Sequence, residues 1–243
     1  MKRYSVFLIQ LFMLTICSAQ STKIIDIPLI KNSIGGVDTS TYFINYSTLR
    51  YQLKLPNLQF SSDSFHFRIW AEKQAVDIWT TNGKFILGSV TNFAQRYNKK
   101  LMKKSILAID KVLSNTTNLK PRLAKYIFDF ITAFNLNKIS TDSKIKGWKR
   151  GFGETEYCIE FSDTHYYTFK QYWAPSVYAN SIIEAKTIDQ FVNYVFTDLQ
   201  IGTYYKNLKL PNADYKTNYY GEPMLNFPIL NTFYKTSIFD WLL

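Results

Sequence analysis

Phe65-His66-Phe67-Arg68-Ile69-Trp70, then Val76-Asp77-Ile78-Trp79, then Asn82-Gly83 and a return from Phe85 to Phe93: the reading of this stretch decides the fold. Phe65, Phe67 and Ile69 alternate with His66, Arg68 and Trp70, the period-two pattern of a half-buried strand. Ala71 to Gln74 reads as a short loop, after which Val76 and Ile78 continue the pattern. Asn82-Gly83 is a strong hairpin signal, because both residues accept positive φ. Residues 64–92 therefore predict an antiparallel meander of at least three strands, with Lys104 to Leu113 as a fourth candidate. With a four-residue loop at 71–74, Arg68 faces Asp77 and His66 faces Trp79 across the hairpin.

Toward the C-terminus, residues 114–120 read as a polar linker. Pro121 suits a helix start, where its missing N–H is no loss. Leu123, Ile127, Phe130, Ile131 and Phe134 then share one helical face, which predicts a helix near 121–134. Residues 137–153 are a basic connection containing Gly147, Gly151 and Gly153. Tyr157, Ile159 and Phe161 alternate with Glu156, Cys158 and Glu160; Asp163-Thr164 offers a turn, and Tyr167 and Phe169 lead a second strand to Trp173, before Pro175. A second helix is expected near 188–200. Thr187 and Gln190 form its capping box, and Gly202 takes the left-handed position that ends it.

Toward the N-terminus the pattern weakens. Tyr42 to Leu55 alternates irregularly and reads as one or two strands; Gly35-Gly36 reads as a turn. Ile24 to Ile30, broken by Pro28, reads as a strand or a tethering arm. From Asn212 onward the chain is rich in Tyr, Asn and Pro and reads as extended segments that pack back on the body, since Phe233, Ile238, Phe239, Trp241 and Leu242 would otherwise be exposed. The expected class is α+β, with antiparallel meanders each followed by an amphipathic helix. The expected division is 1–19, 20–136, 137–153 and 154–243, with the two larger parts forming one domain or two.

Lys2 and Arg3 precede an apolar run from Val6 to Ile16, which ends in Cys17-Ser18-Ala19. The run is too short to span a bilayer and fits a secretory signal cleaved after Ala19, leaving Gln20 first. Leu14-Thr15-Ile16-Cys17 also resembles a lipoprotein signal, in which Cys17 is lipidated; the bulky Ile16 departs from that pattern. The Ser18-Ala19-Gln20 ending resembles leaders of exported Bacteroidota proteins, and this resemblance covers the leader alone. It implies a secreted or periplasmic protein, or a membrane-anchored lipoprotein in the alternative.

The 243 residues are 47% apolar and 17% aromatic, a composition that folds around a sizeable core. The formal charge is +11, and loss of Lys2 and Arg3 with the leader lowers it to +9. A basic surface attracts nucleic acid and anionic lipid head groups, and Lys99-Lys100, Lys103-Lys104 and Lys144, Lys146, Lys149-Arg150 are its clusters. Only six of the 29 basic residues are Arg, the better fork for phosphate, so a solvated basic surface is the first expectation. Without Cys17, Cys158 is the one cysteine, so an internal disulfide is ruled out and Cys158 reads as a small core residue.

Chemistry-bearing residues are few. His66 and His165 are the only histidines, and spacing joins neither to a serine, so a hydrolytic triad is not indicated. No metal site is expected, nor any cofactor. Glu154 and Glu156 are the one close carboxylate pair considered for catalysis, and a solvated strand edge is the simpler reading of them. Glu156 and Glu160 stand about 13 Å apart along one strand, too far for a retaining pair. His66, Arg68, Trp70, Asp77 and Trp79 share a polar and aromatic face that is either a cross-strand structural cluster or a ligand platform. Tyr166, Tyr167, Tyr172, Trp173 and Tyr178 are core or stacking aromatics. The leading expectation is an exported, non-enzymatic binding or structural protein of the bacterial envelope, its ligand unknown, with a glycan or a protein as the candidates. A secreted glycan-acting hydrolase using Glu154 and Glu156 is the alternative, and a module binding anions, whether nucleic acid or lipid head groups, is the second.

Overall fold

The computed structural model describes residues 23–31, 37–71, 73–97, 109–151, 154–211, 215–217 and 224–225. The leader with Cys17, the Gly35-Gly36 turn, Lys99, Lys100, Lys103, Lys104 and most of the C-terminal tail lie outside the described residues.

The chain is an α+β protein built on one mixed sheet. Strands β4 (Phe65–Trp70), β5 (Gln74–Thr80) and β6 (Leu87–Tyr97) form an antiparallel meander. The register sets Arg68 opposite Asp77 and His66 opposite Trp79, as the alternation predicts. Gly83 has φ 74°, but the strands part at Thr80 and Leu87, so the turn is longer than a two-residue hairpin.

Strand β7 (Ile109–Asn118) pairs along β6 on the side away from β5. Residues 114–118 therefore belong to a strand, not to a linker. Their hydroxyls and amides suit the sheet: Thr91 Oγ1 and Thr116 Oγ1 meet at 2.8 Å across the two strands.

Strands β8 (Glu156–Ser162) and β9 (Tyr166–Trp173) join the other side of β4, with Phe67 opposite Phe161. Asp163 closes their turn by accepting from the N–H groups of His165 and Tyr166, both at 2.7 Å. The first strand, β1 (Ile24–Asp26), runs parallel to β9. Lys23 Nζ donates to Ser162 Oγ at 2.6 Å beside it. Pro28 separates β1 from β2 (Leu29–Lys31), which pairs with β3 (Val37–Thr39) in a small second sheet. Two short strands, β10 (Tyr215–Thr217) and β11 (Met224–Leu225), extend the main sheet from Gln95 and Arg96 of β6.

Helices cover both faces of the sheet. One face carries Phe67, Ile69, Val76, Ile78, Ile159 and Tyr172, beneath α2 (Pro121–Ala133) and α4 (Ile183–Asn193). Pro121 occupies the first turn of α2, and Ala124, Ile127 and Ile131 point inward. Gly88 lets α2 approach: a Cβ there would lie 3.1 Å from Ala124 Cβ and 3.1 Å from the Asp77 carbonyl.

The second helix differs from expectation at both ends. It starts at Ile183, after a four-residue helix α3 (Pro175–Tyr178), and Thr187 lies inside it, donating back to the Ile183 carbonyl at 2.9 Å. It then widens into a π-helical turn over Tyr194–Asp198, closed by Leu199 N–H to the Tyr194 carbonyl. Gln200, not Gly202, takes the left-handed position, at φ 57°.

On the opposite face lies α1, Thr41–Gln52, where strands were expected. Its aromatic and Asn/Ser-rich sequence hides the period. Leu49 and Leu53, four apart, are buried with Leu58 against Trp70, Phe93, Cys158 and Phe169. Phe43 meets Phe169 edge-on at 5.3 Å, and Tyr46 packs on Trp70 at 5.1 Å. Such pairs contribute roughly 0.5–1.5 kcal/mol beyond their area.

Candidate functional site

The face beneath α1 gathers two clusters of buried charged side chains. Alternation along β4 points His66, Arg68 and Trp70 to this face, and register brings Asp77 from β5 and Glu160 from β8 to either side of Arg68. Arg68 Nε donates to Asp77 Oδ1 at 2.8 Å, and Nη1 to Glu160 Oε1 at 3.2 Å. Both Nη1 and Nη2 also reach the Pro56 carbonyl at 3.2 Å. Glu160 accepts further bonds from Trp70 Nε1 and Tyr167 Oη, each at 2.7 Å.

His66 stands between two carboxylates. Its Nδ1 lies 2.9 Å from Asp63 Oδ2 and its Nε2 lies 2.9 Å from Asp77 Oδ1. Its ring stacks on Trp79 at 5.7 Å. Asp63 also accepts from Ser61 and Thr81.

The centre of the cluster is sealed, with Arg68 and Trp70 0% exposed and His66 and Asp77 each 3%, while Asp63 and Thr81 lie at its margin toward water. Burial alone would raise the Asp77 carboxyl, but Arg68 and His66 outweigh it and hold the group below its ordinary value. Burial would likewise lower the Arg68 guanidinium, and Asp77 and Glu160 hold it up. The structure thus brings His66, Arg68, Trp70, Asp77 and Trp79 together, with four of the five enclosed and Trp79 half-buried. Glu160, Tyr167 and Asp63 complete the cluster, and sequence reasoning missed them. Glu160 lies about ninety residues from Arg68 in the chain, and only strand pairing of β4 with β8 brings it near.

The second cluster lies at the start of β8. The stretch 137–150 runs along β9 and is pinned there. Lys170 Nζ donates to the Asn137 carbonyl at 2.6 Å, Thr141 bonds the Gln171 backbone, and Trp148 Nε1 donates to the Trp173 carbonyl at 2.7 Å. This carries Asp142 and Arg150 to Glu156. Arg150 Nη2 lies 3.0 Å from Asp142 Oδ2, 3.1 Å from Glu156 Oε1 and 2.8 Å from Gln171 Oε1. The guanidinium sits 5.3 Å from the Tyr42 ring centroid of α1.

Glu156 is a correction to the sequence reading. A wet strand edge was expected, yet the residue is 5% exposed. It makes the ion pair with Arg150, and the Tyr42 hydroxyl of α1 also bears on its carboxylate. Burial pushes its carboxyl up to about 7, against the pull of Arg150. Glu154 is exposed. Trp173, opposite Glu156 in the register, has a buried indole N–H without an acceptor.

The remaining candidates stand apart. His165 is exposed at the β8–β9 turn. Cys158 is fully buried, and burial pushes its thiol well up. Tyr167, Tyr172 and Trp173 are buried, Tyr178 is half-buried, and Tyr166 is exposed. Lys144, Lys146 and Lys149 are exposed, while Arg150 is engaged as described. Among the described residues no group of three or more His, Cys, Asp or Glu is placed to hold a metal ion. Among the same residues no helix is long and apolar enough to cross a membrane.

Compared with family models, with curated proteins and with solved structures, the chain matches none.

Proposed function

We propose that the protein acts after export as a non-enzymatic binding or structural protein of the bacterial envelope, released by cleavage after Ala19. One observation carries the non-enzymatic part. The acid–base groups that the chain does bring together, His66, Asp77, Arg68 and Glu160, are enclosed and bonded to one another. A general base must reach the proton it removes, and an imidazole enclosed between two carboxylates cannot reach a substrate. On this reading the charges fix the register of β4, β5 and β8, and each meander with its following amphipathic helix acts as one packing unit. Two measurements test it: N-terminal sequencing of exported material, expected to begin at Gln20, and a turnover panel of glycans, esters and peptides, expected to be negative. A lipid-modified Cys17 or an intact leader would refute the first expectation.

A glycan-acting hydrolase is the second reading, and Glu156 favours it. A carboxyl raised to about 7 is matched to general-acid work at neutral pH. The exposed Glu154, two residues away, would be the partner carboxylate. Turnover of a glycan that vanishes in Glu156→Gln would establish this reading in place of the first.

A further inference from the structure

Strand pairing brings several element ends to one end of the sheet. Phe65 opens β4 opposite Thr80 at the close of β5, Leu87 opens β6 opposite Trp79, and Ser162 closes β8 opposite His66. Two loops at this end each hold a phenylalanine out into water. Phe60 ends the single helical turn Leu58–Phe60 and is 81% exposed, and Phe85 lies in the β5–β6 turn and is 71% exposed. Leu87, two residues on, is exposed as well. Farther along the same end, Ile24 of β1 and its register partner Tyr166 of β9 are exposed. From β6 to β1 the sheet order makes five strand spacings, about 24 Å in all.

Single exposed apolar side chains are ordinary, but a set of them at one end of a sheet marks a contact surface. Here the loops that carry them are braced. Leu58 is buried and roots the first loop, and its carbonyl accepts from Ser162 Oγ at 2.7 Å. Asp63 ties the two loops together: Ser61 Oγ donates to its Oδ2 at 2.7 Å, and Thr81 Oγ1 to its Oδ1 at 3.0 Å. Within the second loop the Gly83 N–H donates to Thr80 Oγ1 at 2.9 Å, and the Lys84 N–H to Asn82 Oδ1 at 3.0 Å. The fold thus fixes both rings outside the core.

The exposed charge beside them is positive. Lys84 adjoins Phe85. Lys120 and Arg122 follow the point where the Leu119 N–H meets the Gly88 carbonyl at 2.8 Å, next to Leu87. All three cations are exposed. The carboxylates of these loops are turned to partners: Asp63 to Ser61, His66 and Thr81, and Asp163 to the N–H groups of His165 and Tyr166. Phenylalanine and leucine flanked by lysine and arginine suit the boundary between head groups and acyl chains. Phenylalanine also lacks the polar handle by which Trp and Tyr meet a wet ligand such as a glycan.

We propose that this end of the sheet seats on an anionic lipid bilayer, with Phe60, Phe85 and Leu87 entering the acyl boundary and Lys84, Lys120 and Arg122 on the head groups. The surface belongs to the folded body and needs no lipid on the chain itself.

Sedimentation of the chain from Gln20 onward with vesicles of phosphatidylglycerol and phosphatidylcholine, at physiological ionic strength, tests this. The parent chain is expected to bind, and Phe60→Ser with Phe85→Ser to weaken binding at least about tenfold with no change in charge. Both positions are exposed, so the urea unfolding midpoint of that variant is expected to stay where it is. Two lysine pairs separate this end from net charge, since each lowers the charge equally. Lys84→Glu with Lys120→Glu is expected to weaken binding at least about tenfold. Lys146→Glu with Lys149→Glu, on the connection beside Trp173, is expected to change it by less than about threefold. A parent chain that leaves the vesicles free would overturn the proposal. So would equal binding by the phenylalanine pair, or equal losses from the two lysine pairs, either of which assigns the attraction to overall charge. Retention of the parent on a glycan array that the phenylalanine pair loses, without vesicle binding, would also overturn it, by assigning this end to a carbohydrate.

Discussion

Arg150 and Glu156 meet at 3.1 Å where the connection from α2 turns into β8, and the same guanidinium nitrogen lies 3.0 Å from Asp142. The two carboxylate side chains are 3% and 1% exposed, while Arg150 is 31% exposed. One half-buried cation therefore serves two buried anions, and burial leaves Glu156 with a carboxyl raised to about 7 from the ordinary 4.5.

That shift makes stability depend on pH with a definite sign. Between pH 4.5 and about 7 the folded chain holds a proton on Glu156 that the unfolded chain has released. Stability from this group is fully present below 4.5 and is lost as pH rises through about 7. The loss is up to about 3 kcal/mol. Urea unfolding of Glu156→Gln should lack this fall and should show the variant more stable than the parent above pH 7. A parallel pH dependence in the two proteins would refute the assignment.

The cluster around Arg68 should behave as a buried ion network. Removing one partner leaves the others charged and enclosed, which typically costs about 3–5 kcal/mol. Arg68→Ala is expected to lose that much in denaturant unfolding, because Asp77 and Glu160 both lose their cation. A loss below about 1 kcal/mol would mean that water reaches the cluster.

Much of this cluster is legible in the sequence, and the reason is local. Period-two alternation sets the face of His66, Arg68 and Trp70, and a short loop sets the Arg68–Asp77 register. Glu160 and Asp63 are not legible, since neither the β4–β8 pairing nor the path of the segment before β4 has a local signal. Helix α1 is hidden for a different reason. Tyr42, Phe43 and Tyr46 favour strands by propensity, and tertiary contact with Trp70 and Phe169 overrides it. The Arg150 cluster draws on positions 142, 150, 156 and 171, a set with no period, so burial of Glu156 emerges only when 137–150 is laid along β9.

Gly88 is expected to be intolerant. A Cβ there would meet Ile78 Cδ1 at 2.8 Å, the Asp77 carbonyl at 3.1 Å and Ala124 at 3.1 Å, between sheet and helix. Ile78 Cδ1 can swing aside, but the carbonyl and the helix cannot do so freely. Gly88→Ala should destabilise by about 1–3 kcal/mol, as overpacking does. Thermal unfolding checks this, and an unchanged midpoint would show that α2 rides freely on the sheet.

Cys158 should be silent until the chain opens. Its thiol is fully buried and pushed well above the ordinary value, so thiolate is scarce. Iodoacetamide at pH 8 is expected to label it only at the rate of unfolding, followed by mass spectrometry. Prompt labelling of the folded chain would contradict the packing of β8 beneath α1.

The central claim is that the charged groups beneath α1 hold the sheet together and do no chemistry. The most direct measurement is turnover by the purified mature protein on a panel of glycans, esters and peptides, run beside His66→Ala and Glu156→Gln. No turnover above background is predicted in any of the three, with His66→Ala altered only in stability. Turnover of a glycan by the parent chain that disappears in Glu156→Gln would contradict the claim.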